Sequence, residues 1–132
     1  MRLLGLDVGT RRIGVALSDD LGIAAHAVTT LPRTGNARDA QAIAALCAER
    51  GAGAVVVGVP EGSAEEGRIR GFVDALRARL PCPVHTVDES FTTARAEAVL
   101  IEAGMSRKRR RRVVDRLAAA EILERYMGEA KP

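Results

Sequence analysis

Leu4-Gly5-Leu6-Asp7-Val8-Gly9-Thr10-Arg11-Arg12-Ile13-Gly14-Val15-Ala16-Leu17-Ser18-Asp19 sets two apolar runs on either side of a turn. Arg2 to Val8 is rich in Leu and Val, Gly9-Thr10-Arg11-Arg12 supplies the turn, and Ile13 to Leu17 resumes the apolar run, so the stretch reads as a β-hairpin. A third strand is expected from Ala24 to Thr30, after a connection around Gly22. The chain therefore opens as a three-stranded antiparallel meander.

Beyond the meander the period changes. Asn36 is the expected N-cap of a helix through Arg50, with Ile43, Ala44, Leu46 and Cys47 on its apolar face and Gly51 at its end. Ala54 to Val59 is continuously apolar, as expected of a strand covered on both faces. Ile69, Phe72, Val73 and Leu76 recur at helical spacing, which predicts a helix over Glu65 to Leu80 that Pro81 and Pro83 terminate. Val84 to Val87 reads as a fifth strand, and two helices follow, about Thr92 to Glu102 and Ser106 to Met127. Three meander strands followed by alternating helix and strand predict the α/β class, a five-stranded mixed sheet with helices on its faces. With no repeat and no linker rich in Gly, Ser or Pro, residues 1–132 are expected to form a single domain.

Composition narrows the partners. Of the 132 residues 47% are hydrophobic and 28% charged, a balance that excludes a long disordered chain. No apolar run approaches the roughly 20 residues of a membrane span, and the first residues run straight into a strand pattern, so a cytoplasmic protein without a membrane partner is expected. Cys47 and Cys82 form no CxxC pair and His26 and His85 are isolated, which argues against a zinc tetrad and for two reduced thiols. The net charge of +3 is modest, but Arg107, Lys108, Arg109, Arg110, Arg111 and Arg112 are consecutive. At the start of a helix, where the macrodipole disfavours positive charge, that run either forms a solvated basic face or attracts a phosphate backbone. Arg11 and Arg12 would extend the same surface. Aromatic residues are limited to Phe72, Phe91 and Tyr126, so base stacking is not expected to dominate binding.

Three carboxylates stand out. Asp7 lies among Leu4, Leu6 and Val8, where an ionised group is costly unless it is paired or binds a metal; otherwise it fixes the hairpin turn. Asp88 and Glu89 close the fifth strand before Thr92 and Thr93, and Glu89 has the longer reach toward Asp7, although a solvated loop carboxylate or a cap partner is the plainer reading. Asp115 shares a helical stripe with Ala119, Ile122 and Tyr126 and is flanked by Val114 and Ala118. A carboxylate in that sector needs either an arginine from elsewhere or a divalent cation.

Taken together, the Leu4 to Asp19 stretch, Asp88-Glu89-Ser90-Phe91-Thr92-Thr93 and Lys108 to Ala119 closely resemble the YqgF family, described as Holliday junction resolvases and as pre-ribosomal RNA nucleases. The resemblance covers nearly the whole chain and implies an RNase H-like fold related to the junction resolvase RuvC. It also implies that Asp7, Glu89 and Asp115 match the family's acidic residues and gather one or two Mg²⁺ or Mn²⁺ ions for phosphodiester hydrolysis. The implied substrates are the 5′ end of pre-16S rRNA, branched DNA, or both, cut by a monomer or a homodimer. Two departures touch substrate choice: Ser90 replaces the family's usual arginine, and Glu61-Gly62-Ser63-Ala64 lacks the Asn-x-Asp-Gly pattern after Pro60. Two other readings compete. One is a noncatalytic nucleic-acid-binding factor in ribosome maturation. The other is nucleotide binding, since Asp-x-Gly-Thr also opens the phosphate loop of actin-like ATPases, which use two such domains where this chain has one.

Overall fold

The computed structural model describes residues 1–89 and 101–130, and within the last helix the backbone alone at 108, 111–116 and 130. The elements are β1 (Arg2–Val8), β2 (Arg12–Ser18), β3 (Ala25–Pro32), α1 (Asn36–Arg50), β4 (Ala52–Val59), α2 (Glu66–Arg79), β5 (Val84–Asp88) and α3 (Arg107–Ala130). The strands form one sheet in the order β3-β2-β1-β4-β5, which makes β1 central. β1 pairs antiparallel with β2, placing Asp7 opposite Gly14, and parallel with β4, placing Leu6 beside Val57. β4 in turn pairs parallel with β5, Val59 beside Asp88. The expected helix over Thr92 to Glu102, with its cap residues Thr92 and Thr93, lies for the most part outside the described residues.

Strand side chains alternate between faces, and the two faces carry separate cores. Leu4, Leu6 and Val8 of β1 and Val55, Val57 and Val59 of β4 pack with Ile43 of α1 and with Phe72, Val73 and Leu76 of α2. Leu3, Ala16, Ala54, Val56 and Val87 face the other way and pack with Ala119, Ile122, Leu123 and Met127 of α3. The run Val55 to Val59 is apolar on both sides because helices cover both faces. Burying a large side chain such as Phe72 contributes about 1.5–3 kcal/mol relative to exposure. Asp7, between Leu6 and Val8 in a strand of period two, falls on the α3 face.

α3 approaches the centre of the sheet because Gly5 has no side chain. A Cβ there would stand 2.5 Å from Leu123 Cγ and 2.9 Å from the Ala119 carbonyl oxygen. Met127, two turns further on, reaches the β2–β3 connection, with its Sδ 3.9 Å from where a Cβ of Gly22 would be. α3 thus runs from the Asp7 end of β1 toward the opposite end of the sheet.

Helix α1 starts differently from the sequence expectation. Its N-cap is Gly35, and Asn36 is the first helical residue. Capping runs backwards from Asp39, which is buried and accepts hydrogen bonds from Thr34 Oγ1 (2.7 Å), Thr34 N (3.0 Å), Gly35 N (3.3 Å) and Arg33 Nε (2.7 Å). Asn36 spends its Oδ1 on Arg33 Nη2 at 2.6 Å. Burial alone would raise the Asp39 pKa, but the donors from Thr34, Arg33 and Gly35 outweigh it and hold the carboxyl below its ordinary value. A lowered folded pKa stabilises the protein above the unfolded value near 3.9, and that contribution is lost as pH falls below it. Asp39→Asn should therefore cost about 1–3 kcal/mol at pH 7. Urea unfolding should show the gap between variant and parent narrowing at pH 3; an equal gap at both pH values would remove the ionised carboxylate as the cause.

Candidate active site

Three elements converge on the end of β1. Asp7 is only 8% exposed although it is the last but one residue of the strand. Its neighbour on β4, following the register of Leu6 with Val57, is Gly58. Gly58 in turn faces Val87 of β5, and Glu89 follows that strand on the same face. A Cβ at Gly58 would meet Glu89 Cβ and Oε2 at 2.9 Å and Ile122 Cδ1 at 2.5 Å. The missing side chain is thus the space through which Glu89 crosses β4 and reaches Asp7.

The two carboxyl groups are hydrogen-bonded to each other, and Glu89 holds its proton well above the usual carboxylate range, with a pKa pushed up to about 9. Burial is the main cause; the Asp7 charge and the Asp7 hydrogen bond add to it, and Arg68 opposes it. Glu89 Oε2 is buried with no hydrogen-bond partner. Two touching acids, one carrying an orphaned oxygen in a site shielded from water, form a donor set that suits a hard divalent cation, which binds carboxylate oxygens and removes their mutual repulsion. The residues present therefore fit the ion that the sequence resemblance implied. Among the described residues no third His, Cys, Asp or Glu side chain joins them.

Asp115 is the third candidate. Its backbone lies in α3, one turn before Ala119 and two before Ile122, on the stripe that packs over Gly5 and Gly58 and toward the Asp7 end of the helix. Its side chain lies outside the described residues, as do those of Lys108, Arg111 and Arg112. Of the remaining basic candidates, Arg11, Arg107 and Arg109 are exposed and Arg12 is half-buried. Arg110 Nη1 is engaged by the Met105 carbonyl at 2.8 Å. Ser106, the expected start of the last helix, immediately precedes α3, its Oγ accepting from Arg109 N at 3.3 Å.

Features that the sequence did not reveal hold the site from outside. Arg68 of α2 donates to the carbonyls of Val8 (3.2 Å) and Gly9 (3.0 Å), and Arg33 reaches the Gly9 carbonyl at 3.4 Å. Arg125 of α3 donates to the Asp88 carbonyl, and Tyr126 stacks on His85 with centroids 5.3 Å apart, so α3 is tied to the strand that leads into Glu89. The cysteines take no part: both are free thiols, and burial first, then Cys82, pushes the Cys47 pKa up to about 12. His85 serves as a stacking partner, and His26 is exposed on β3. Among the described residues, no helix is long and apolar enough to cross a membrane.

A family model described as "RuvX: Holliday junction resolvase" matches residues 1–129. A protein of Desulforudis audaxviator named "Putative pre-16S rRNA nuclease" is 44% identical over 136 residues, covering 99% of this chain and 96% of its own length. One of the same name from Moorella thermoacetica is 44% identical over 132 residues, covering 96% and 94%. Among solved structures, the fowlpox virus resolvase in complex with its substrate Holliday junction DNA matches with a TM-score of 0.64 at 11% identity, over 100% of both chains. RuvC of T. thermophilus with a Holliday junction substrate matches with a TM-score of 0.59 at 19% identity, over 100% of this chain and 99% of its own. Likeness at such low identity shows the fold, and it is the RNase H-like fold that the sequence resemblance implied.

Proposed function

This chain belongs to the RuvX family of Holliday junction resolvases, and from that premise we propose that it is a metal-dependent nuclease that hydrolyses phosphodiester bonds in structured nucleic acid. The observation that carries the reading is the pairing of buried Asp7 with half-buried Glu89, laid across Gly58 with the shielded Glu89 Oε2 unpartnered. Such a pair gains little as scaffold, because two acids held together away from water oppose folding. It gains a purpose if the carboxylates serve as ligands.

Asp7 and Glu89, with Asp115 at its position one turn before Ala119, would hold one or two Mg²⁺ or Mn²⁺ ions. When bound, such an ion lowers the pKa of an attacking water and stabilises the charge that grows on the phosphate. The chain's own residues do the rest. The shielded sheet face strengthens every charge interaction at the site. Arg11 and Arg12, in the turn after β1, and the basic start of α3 draw the phosphate backbone toward that end of the sheet. Substrate recognition should rest on backbone and shape, since the chain has few aromatic residues for base stacking.

The relatives' name favours pre-16S rRNA as substrate, and the family description favours four-way DNA junctions. The two differ in symmetry: resolving a junction takes two equivalent sites and hence a homodimer, whereas a monomer can trim an RNA end. The test is cleavage of labelled junction DNA, single-stranded RNA and a pre-16S rRNA fragment with Mn²⁺, Mg²⁺ or EDTA. Cleavage that EDTA stops and Asp7→Asn abolishes is expected; full activity in that variant would sink the assignment. Binding without cleavage of any substrate in either metal would favour a noncatalytic role in ribosome maturation.

A further inference from the structure

The carbonyl of Gly9 is an unusual meeting point. It accepts hydrogen bonds from two guanidinium groups, Arg68 Nη1 at 3.0 Å and Arg33 Nη1 at 3.4 Å, while Arg68 Nη2 takes the preceding carbonyl of Val8 at 3.2 Å. Each arginine is itself held. Arg68 Nε donates to Glu65 Oε2 at 2.6 Å. Arg33 Nε donates to the buried Asp39 at 2.7 Å, and its guanidinium lies 4.9 Å from the centre of the Phe72 ring. Phe72 belongs to the core on the α1 and α2 side of the sheet, so both arginines arrive from the face opposite Asp7 and Glu89.

We infer that Arg68 and Arg33 are positioning residues: from the far face of the sheet they clamp the Val8 and Gly9 carbonyls and so fix where Asp7 sits relative to Glu89. A peptide unit is planar, so fixing its carbonyl fixes the whole plane. The clamp holds the Val8–Gly9 and Gly9–Thr10 peptide planes, one residue beyond Asp7. On the other side of the turn, Gly9 N donates to the Arg12 carbonyl at 2.8 Å, which leaves the turn little freedom. A forked guanidinium can serve two successive carbonyls at once, whereas an ammonium acts as a point charge. Arg33 acts through the turn; Arg68 acts through the turn and also through its charge on Glu89, which Arg68→Lys keeps while losing the fork. The catalytic part of this inference rests on the nuclease reading, because a displacement of about 1 Å at a reacting centre can cost a hundredfold in rate.

The test separates the clamp from that reading. Hydrogen exchange of the full-length protein is measured first for Arg68→Gln, Arg68→Lys and Arg33→Gln, together with melting. In Arg68→Gln, amides of residues 9–12 should exchange about tenfold faster or more while the core keeps its protection, as local opening does. With the best cleaved substrate, kcat should fall about a hundredfold with KM little changed, and Arg68→Lys should restore melting but not kcat. Arg68→Gln with Arg33→Gln should lose less than the product of the single losses, because both hold one carbonyl. Unchanged exchange in the turn would overturn the clamp, as would full rescue by lysine or a fall in kcat that tracks global protection. If the parent cleaves nothing, the nuclease reading fails, and exchange in the turn alone decides the clamp.

Discussion

Glu89→Gln should yield a protein that melts higher than the parent in EDTA and cleaves nothing. In the metal-free protein the Glu89 pKa is pushed up to about 9, from an ordinary value of 4.5, because burial and Asp7 both disfavour its charge. A raised folded pKa means that the folded state holds a proton which the unfolded state has released. Stability therefore falls as pH climbs through the window from about 4.5 to about 9, and glutamine, which never ionises, removes that slope. The variant's advantage should grow across the window; a gain of about 1 kcal/mol raises the melting temperature by roughly 3–6 °C in a chain of this size. Mn²⁺ should raise the melting temperature of the parent and not of the variant, since a ligand stabilises only what binds it. Loss of a metal ligand should lower kcat by about a thousandfold or more, corresponding to about 4 kcal/mol at the transition state. Calorimetric melting from pH 5 to pH 9, with EDTA or Mn²⁺, reads the stability half, and cleavage reads the other. A variant that melts lower than the parent at pH 8 in EDTA would show that the carboxyl pair is a structural asset and would undercut its role as ligand.

Gly58→Ala should damage both fold and activity, by separable routes. The added methyl would stand 2.5 Å from Ile122 Cδ1 and 2.9 Å from Glu89 Cβ and Oε2, so both neighbours must move. Overpacking of this kind costs about 1–3 kcal/mol. Adding Ile122→Val deletes the clashing Cδ1 and should recover most of the lost stability in urea unfolding. It leaves the collision with Glu89 in place, so cleavage should stay absent in the double variant. Recovery of both would mean that the methyl acts only through packing of α3 and that the Glu89 path over β4 is not needed for catalysis.

The Leu- and Val-rich runs on either side of the Gly9–Arg12 turn, the unbroken Val55 to Val59 run and the helical spacing of Ile69, Phe72, Val73 and Leu76 made the sheet and α2 legible from sequence, because each is a local pattern tied to a buried face. Asp7 was legible as a charge among leucines, and Glu89 as the acid with enough reach. Arg68 and Arg33 were not. Arg68 forms an ordinary i,i+3 pair with Glu65, and the carbonyls it serves are 59 and 60 residues away in sequence. No periodicity encodes such a contact. Gly58 did leave a trace, a glycine inside a valine run, which in a strand signals close approach of another group. The expectation that Asn36 caps α1 failed because Asp39, within the helix, offers a charged acceptor to the same turn and leaves Asn36 to Arg33.

The stack of Tyr126 on His85 has a practical side. The chain contains one tyrosine and no tryptophan, so its ultraviolet emission arises essentially from a single ring, and that ring sits where α3 meets β5. The unlabelled protein thus carries its own optical reporter beside the strand that delivers Glu89, against which titrations with metal or nucleic acid can be followed without attaching a dye.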